Sequence, residues 1–398
     1  MKVLILSIAH FADTPGGGPR LVQDEARALD RRGDQVWVLA PGTAAQPEHE
    51  VRDGIHLLRY VPAPVAPWNP ARSSGHQRAV RALLARHLPQ VDAVHGHAPL
   101  PYLAALDFYG DSVHFCYDIH SPARMEMEVI WRHSGLRKKL TAPVGLAMIN
   151  RMERECIRRS NAVSAESQYT IDCIRRIHGE QLAARVRLLP GWVDSSRYTP
   201  VDDRERAKAQ LGWPAGVPIL FTLRRLAPRM GLDRLLDAAH RLQSEGVGFH
   251  LLIGGSGPLR AKLEQQSQRL GLAGAVTFLG RLKDEQLPLA YAACDAFVLP
   301  TADLECFGLI AVEALSAGRP VLATPVGAIP EILRQFDPAW LARSASAEDI
   351  AGLLRSFLAG RLPQHSPAEL HERARRHYSR DLLVPAYIDA MIGGNARF

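Results

Sequence analysis

The residues best suited to chemistry lie in the run Glu305-Cys-Phe-Gly-Leu-Ile-Ala-Val-Glu313. Phe307, Leu309, Ile310 and Val312 are apolar, so an acid at 313 is conspicuous. A carboxylate taken out of water is costly unless something bonds it. A ribose diol is one such partner; a structural salt bridge to an arginine is another. Gly308 is placed to open a helix, with Glu305 near its N-terminus and Glu313 more than a turn along its face.

The second candidate is the basic run Thr222–Gly231, with Arg224, Arg225 and Arg229. It follows an apolar, β-branched stretch, Ile219–Leu223, that reads as a buried strand. A guanidinium forks onto phosphate oxygens and keeps its charge at any physiological pH, so arginines at a strand end suit an anionic ligand. The competing reading is a solvated basic loop. Two glycine clusters complete the set. Gly16-Gly17-Gly18 precedes an expected helix, Pro19–Arg32, where bare backbone and unpaired N–H groups suit an anion. Gly254-Gly255-Ser-Gly257-Pro258 is either a tight turn or a ligand contact. Neither cluster has the dinucleotide-binding spacing, and Pro258 rules out the hydrolase elbow.

His95-Gly-His97 places two imidazoles on one side of a strand. The sequence offers them no evident third ligand, and no Asp-x-Asp pair occurs anywhere. No metal is therefore expected; arginines and a helix dipole are the expected stabilisers of an anion.

These groups need a scaffold that brings many strand ends together. Short β-branched runs at Val3–Ser7, Val36–Leu39, Ile55–Tyr60, Ala93–His95, Val113–Tyr117, Ala162–Ala165 and Val186–Leu189 alternate with helical patterns such as His76–Arg86 and Leu140–Arg159. The rhythm restarts after a polar linker and short helix in Asp194–Gly216. Strands follow at Ile219–Leu223, His250–Ile253, Val276–Leu279, Ala296–Leu299 and Val321–Ala323, with helices at Leu232–Leu242 and Pro258–Leu270. Alternation of this kind predicts an α/β protein of two Rossmann-like domains with parallel sheets facing a central cleft, ligands lying outside the carboxyl strand ends. The expected boundaries are 1–193 and 194–375, with a C-terminal helix at about 376–398 packing back onto the first domain.

Composition narrows the class. A chain of 398 residues with 47% hydrophobic content supports two packed cores. No apolar run is long enough to span a bilayer, and the start MKVLILSIAH reads as a buried strand, not a signal peptide. Five scattered cysteines suit reduced thiols in a cytoplasm and exclude a disulfide framework. The net charge of +7 comes with no nucleic-acid module, so no nucleic-acid partner is expected. Trp131–Lys139 is basic and precedes the apolar run Leu140–Ile149. It reads as a solvated helix end or as peripheral contact with the anionic inner face of a membrane.

Taken in order, G-G near the N-terminus, R-R-L-x-P-R-M-G, G-G-S-G-P, Leu189–Asp194, E-C-F-G-L-I-A-V-E and Val326–Glu331 closely resemble the family-4 retaining glycosyltransferases of the GT-B fold. The resemblance implies transfer of a sugar from a UDP- or GDP-linked donor to a glycan, lipid-linked or small-molecule acceptor, with no resident cofactor. By position it implies that Gly16 and Gly17 contact the donor through their backbone and that Arg225 binds the diphosphate. Glu305 holds the sugar, Gly308 and Leu309 offer N–H groups to phosphate, and Glu313 binds the ribose. His120, in Tyr117-Asp-Ile-His-Ser-Pro122, stands beside the reacting sugar, and Arg281 near the base. Gly255 and Phe307 complete the donor set. The chain departs from the family at Met230, where a lysine is usual; Arg224 or Arg229 is the expected substitute. That departure leaves two rivals open: a catalytically silent binding or scaffold protein, and a sugar-nucleotide epimerase on the same fold. Acceptor specificity is expected in loops such as Val61–Ser74.

Overall fold

The computed structural model describes residues 1–13, 16–62, 70–132 and 136–393, the side chains of 70–73 and 136–141 excepted. Residues 63–69 of the expected Val61–Ser74 loop, Trp68 among them, lie outside the described residues, and its last residues open the helix Pro70–His87. So do residues 133–135 of the basic stretch and residues 394–398. No described helix is long and apolar enough to cross a membrane.

The chain divides into two compact units. The first comprises Met1–Gly191 and the segment from Asp381 onward, and the second is Trp192–Arg380. The first unit's strands are β1 (Lys2–Leu6), β2 (Gln35–Pro41), β3 (His49–Arg52), β4 (Ile55–Tyr60), β5 (Ala93–Gly96), β6 (His114–Ile119), β7 (Ala162–Ala165) and β8 (Val186–Leu188). They form one sheet in the order β3-β4-β2-β1-β5-β6-β7-β8. Every pairing is parallel except β3 with β4. Val3, Leu4, Ile5 and Leu6 are wholly buried because helices cover both faces of a parallel sheet.

The second unit holds β9 (Ile219–Leu223), β10 (His250–Gly254), β11 (Val276–Gly280), β12 (Ala296–Leu299) and β13 (Val321–Ala323). Their order is β11-β10-β9-β12-β13, all parallel. Its core gathers Phe221, Tyr291, Phe297 and Trp340 around the inner strands. The helix Arg380–Met391 follows the crossing back to the first unit, where His114 and Cys116 both donate to the Met391 carbonyl.

Every strand expected from the sequence is present. Among the described residues the one strand not foreseen is β3, whose residues His-Glu-Val-Arg are mostly exposed at the sheet edge and carry no apolar alternation. In each sheet the order reverses beside the first strand, between β1 and β5 and between β9 and β12. Loops leaving neighbouring strands at such a point diverge and open a crevice beyond the carboxyl ends.

Glycine lets the second unit's loops close over one another there. Arg224 N–H donates to the Gly254 carbonyl and Leu226 N–H to that of Ser256, tying the β9 loop to the β10 loop. Gly255 sits at φ +116°, and a Cβ on it would lie 1.8 Å from the Arg224 carbonyl oxygen. Gly255→Ala combines left-handed strain with a backbone clash, so we expect a loss of at least about 2 kcal/mol from the second unit. For a unit of this size that lowers its unfolding temperature by about 5 °C, measurable by calorimetry. An unchanged melt would show that the two loops do not need this close approach.

Candidate functional site

In the second unit the β9 loop carries two successive arginines with opposite fates. Arg224 turns inward, is 7% exposed, and forks between the Thr301 hydroxyl and the Glu305 carboxylate. Thr301 also donates to Glu305 at 3.3 Å. Arg225 is exposed and, among the described residues, its side chain has no hydrogen-bond or ion-pair partner; only its backbone carbonyl accepts, from Ala227 N–H. Arg229 donates to the Leu304 carbonyl, while its own carbonyl accepts from Ala302 and Asp303 N–H. The β9 and β12 loops are thereby stitched together. Met230 is buried in the unit's apolar core. Arg281, after β11, is exposed and likewise has no partner among the described residues.

The β12 loop ends at Gly308, whose φ of +102° turns the chain into the helix Leu309–Ser316. No side chain caps that helix, so its first N–H groups and the positive end of its dipole stay open. Phe307 is buried beside Tyr378. Glu313 is 6% exposed and accepts from the Tyr198 hydroxyl at 3.1 Å and the Tyr291 hydroxyl at 2.7 Å.

In the first unit Gly16 and Gly17 are exposed at the start of the helix Gly17–Arg31. Two turns along, Glu25 is completely buried on that helix's apolar face with Leu21, Val22 and Leu29. It meets His95 Nδ1 at 2.6 Å and His97 Nε2 at 3.0 Å. Burial alone would raise the Glu25 pKa; the two imidazoles overcome it and bring it down to about 2. His97 Nδ1 lies 2.8 Å from His120 Nε2, and His120 Nδ1 lies 2.6 Å from Glu166. At the far end Tyr387 bonds His95 Nε2 and donates to Asp118, which also accepts from Ser164. Burial pulls the His120 pKa down, but the charges of Asp118 and Glu166, the Glu166 bond and Glu25 together raise it to about 9.

Two features were not read from the sequence. The histidine pair does have a third group against it, Glu25, and the signal was available: an acid four residues from both Leu21 and Leu29 lies on the apolar stripe of its helix. Glu166 follows a buried strand directly, as functional groups on parallel sheets do. Donor atoms of Glu25, His95 and His97, and of His97, Asp118 and His120, fall within 4.8 Å of one another. Ligands of one tetrahedral zinc, each about 2.0–2.1 Å from it, stand about 3.3 Å apart. The 2.6 Å contacts here are shorter and are hydrogen bonds between the groups themselves. Within the second unit the structure joins Arg224 to Glu305 directly, while Glu313 is held separately by its tyrosines.

Comparison with known proteins agrees with this architecture. Residues 15–197 match the family described as Glycosyltransferase Family 4, and residues 203–377 match Glycosyl transferases group 1. A D-inositol 3-phosphate glycosyltransferase of Rhodococcus erythropolis is 30% identical over 257 residues, 61% of this chain and 57% of that protein. The match thus spans less than two thirds of the relative's length. Sucrose-phosphate synthase from Thermosynechococcus elongatus superposes with a TM-score of 0.79 at 21% identity, over 97% of each chain. The Anabaena protein HepE, solved with UDP and glucose, gives 0.75 at 18% identity over 98% of each. With two Rossmann-like units in the GT-B arrangement of elements and both family patterns in order along it, the chain belongs to the family-4 glycosyltransferases.

Proposed function

We propose that this glycosyltransferase is a metal-independent, retaining hexosyltransferase that takes its sugar from a UDP- or GDP-linked donor. The observation that carries the reading is the unpartnered Arg225 at the β9/β12 switch point, in the unit that also presents an uncapped helix at Leu309. Cleavage of the anomeric bond throws negative charge onto the leaving diphosphate. Donors already fixed where that charge develops lower the barrier without reorganising. The Gly308–Leu309 amides supply such fixed donors, Arg225 adds an unpaired positive charge that the diphosphate would order on binding, and Arg281 supplies a second free cation for the nucleotide. Glu305, oriented by Arg224 and Thr301, receives the sugar hydroxyls. Glu313 receives the ribose diol alongside its two tyrosines.

Retention follows from the family resemblance: the acceptor hydroxyl attacks on the face the phosphate leaves, through an oxocarbenium-like transition state. The phosphate oxygen assists deprotonation. The acceptor is a polyhydroxylated glycan, lipid-linked or small molecule. Met230 favours one second reading, a catalytically silent binding protein, because its apolar side chain sits where the family carries a cation. Turnover of any nucleotide sugar excludes it.

The two arginines separate binding from stability. Arg225→Ala is expected to weaken UDP or GDP binding by about 1.5–3 kcal/mol, the value of hydrogen bonds to a charged group, with the fold intact. Arg224→Met strands Glu305 without its partner and is expected to cost about 3 kcal/mol of stability, read from urea unfolding. Calorimetry showing unchanged nucleotide affinity in Arg225→Ala would remove that residue from the site. Turnover is also expected to survive EDTA; its complete loss, with recovery on adding magnesium or manganese, would refute metal independence.

A further inference from the structure

We propose that Glu166, His97 and Glu25 are positioning residues that hold the His120 ring as a fixed imidazolium, so that His120 offers the reacting sugar a positive charge and no proton-accepting nitrogen. The catalytic half of this statement rests on the reading above that His120 stands beside the sugar.

Hydrogen counting carries the argument. Glu25, His97, His120 and Glu166 are joined by three contacts of 3.0, 2.8 and 2.6 Å. Each contact needs one hydrogen between its two atoms. Two ionised carboxylates bring none, and two neutral imidazoles bring one each. The third hydrogen makes the imidazole pair cationic. His97 is the poorer place for the charge: it is enclosed, with a side chain 3% exposed, and His95 lies against it with ring centroids 4.3 Å apart. Burial and then His95 lower its proton affinity. His120, just past the end of β6, faces acids on several elements: Asp118 in β6, Glu166 beyond β7, and Glu25 on the helix Gly17–Arg31. The remaining titratable neighbours are His95 on β5, His97 just beyond it, and Tyr387 on the C-terminal helix, whose hydroxyl hydrogen goes to Asp118.

Both ring nitrogens of His120 are therefore hydrogen-bond donors already engaged, and neither can serve as a base. The ring is still 23% exposed, so its charge is presented at the carboxyl end of β6. An oxocarbenium-like centre would repel such a charge, whereas a departing phosphate or a sugar hydroxyl oxygen would be drawn to it. The imidazolium therefore orients donor oxygens and leaves deprotonation of the acceptor to the phosphate. Folding raises this proton's affinity from 6.5 to about 9, so the stabilisation it gives is complete below pH 6.5 and is lost as pH rises through about 9.

The test uses Glu166→Gln, which keeps an oxygen to accept from His120 Nδ1 but removes the charge. In protein labelled with nitrogen-15 at histidine, the His120 ring is identified by its absence in His120→Gln. It is expected to show two protonated nitrogens up to about pH 9 in the wild type and to titrate at least about one unit lower in Glu166→Gln. Hydrolysis of UDP-glucose and GDP-mannose needs no acceptor and gives the kinetic arm. The wild-type to Glu166→Gln ratio of kcat is expected to grow at least about fivefold between pH 6 and pH 9, with KM little changed. A ratio constant with pH would reduce Glu166 to a structural role and overturn the catalytic half. A His120 ring with one unprotonated nitrogen at pH 7 would overturn the charge assignment. If no donor is hydrolysed at any pH while the ring is doubly protonated, the transferase reading fails and the charge assignment stands by itself. Glu25→Gln provides the second variant: its ring titration is expected to move in the same direction by less, and a shift the other way would contradict the relay.

Discussion

A charge removed from water must be met by partners in place, and this constraint organises the ligand end of both units. In the first, Glu25 is wholly buried and survives as a carboxylate because two imidazoles face it. In the second, Arg224 and Glu305 are enclosed together, and Thr301 bonds both. Such a cluster fixes several elements at once. Glu25 ties the first helix to β5, His97 ties β5 to the end of β6, and Glu166 ties that end to β7. The Arg224 fork ties the β9 loop to the β12 loop. Removing one member leaves the others buried and unmatched, so the loops around a ligand are held by groups that need not touch it.

Close backbone approach does the rest. A Cβ at Gly231 would lie 1.9 Å from the Pro300 carbonyl oxygen, and one at Gly327 would lie 2.0 Å from that of Glu305. Both glycines have positive φ, so the chain turns and packs in one step. The Ala328 N–H then donates to the Glu305 carbonyl. Glu305 is thus held from its side chain by the β9 loop and from its backbone by the β13 loop. These glycines act by admitting other loops, whatever their contact with a ligand.

The sheets were legible in the sequence because strands buried on both faces must be apolar and β-branched, and the alternation with helices leaves few topologies. The edge strand β3 escaped because an exposed, polar strand has neither mark. Candidate site residues could be singled out where one residue type is out of place among its neighbours, as at Glu313, or where several arginines crowd a strand end. It was illegible where meaning depends on contacts between distant segments. His95 and His97 could be seen as a pair, but Glu25 lies 70 residues away and Tyr387 292 residues from His95. The tyrosines that hold Glu313, Tyr198 and Tyr291, are likewise ordinary core aromatics until the fold brings them to it.

The difference between Arg224 and Arg225 shows how such a site divides its charges. The two are adjacent in the loop after β9, yet one side chain is buried and the other exposed. Arg224 enters the interior, where its planar fork matches a hydroxyl and a carboxylate together; a lysine ammonium lacks that fixed geometry. Its field is largely matched by Glu305 and does little at a distance. Arg225 leaves toward solvent with no partner, so its field is available to whatever anion arrives. His120 combines the two conditions: its nitrogens are bound and its ring is partly exposed. Acids around it hold the charge in place without covering the ring, so a group fixed like Arg224 still presents charge as Arg225 does.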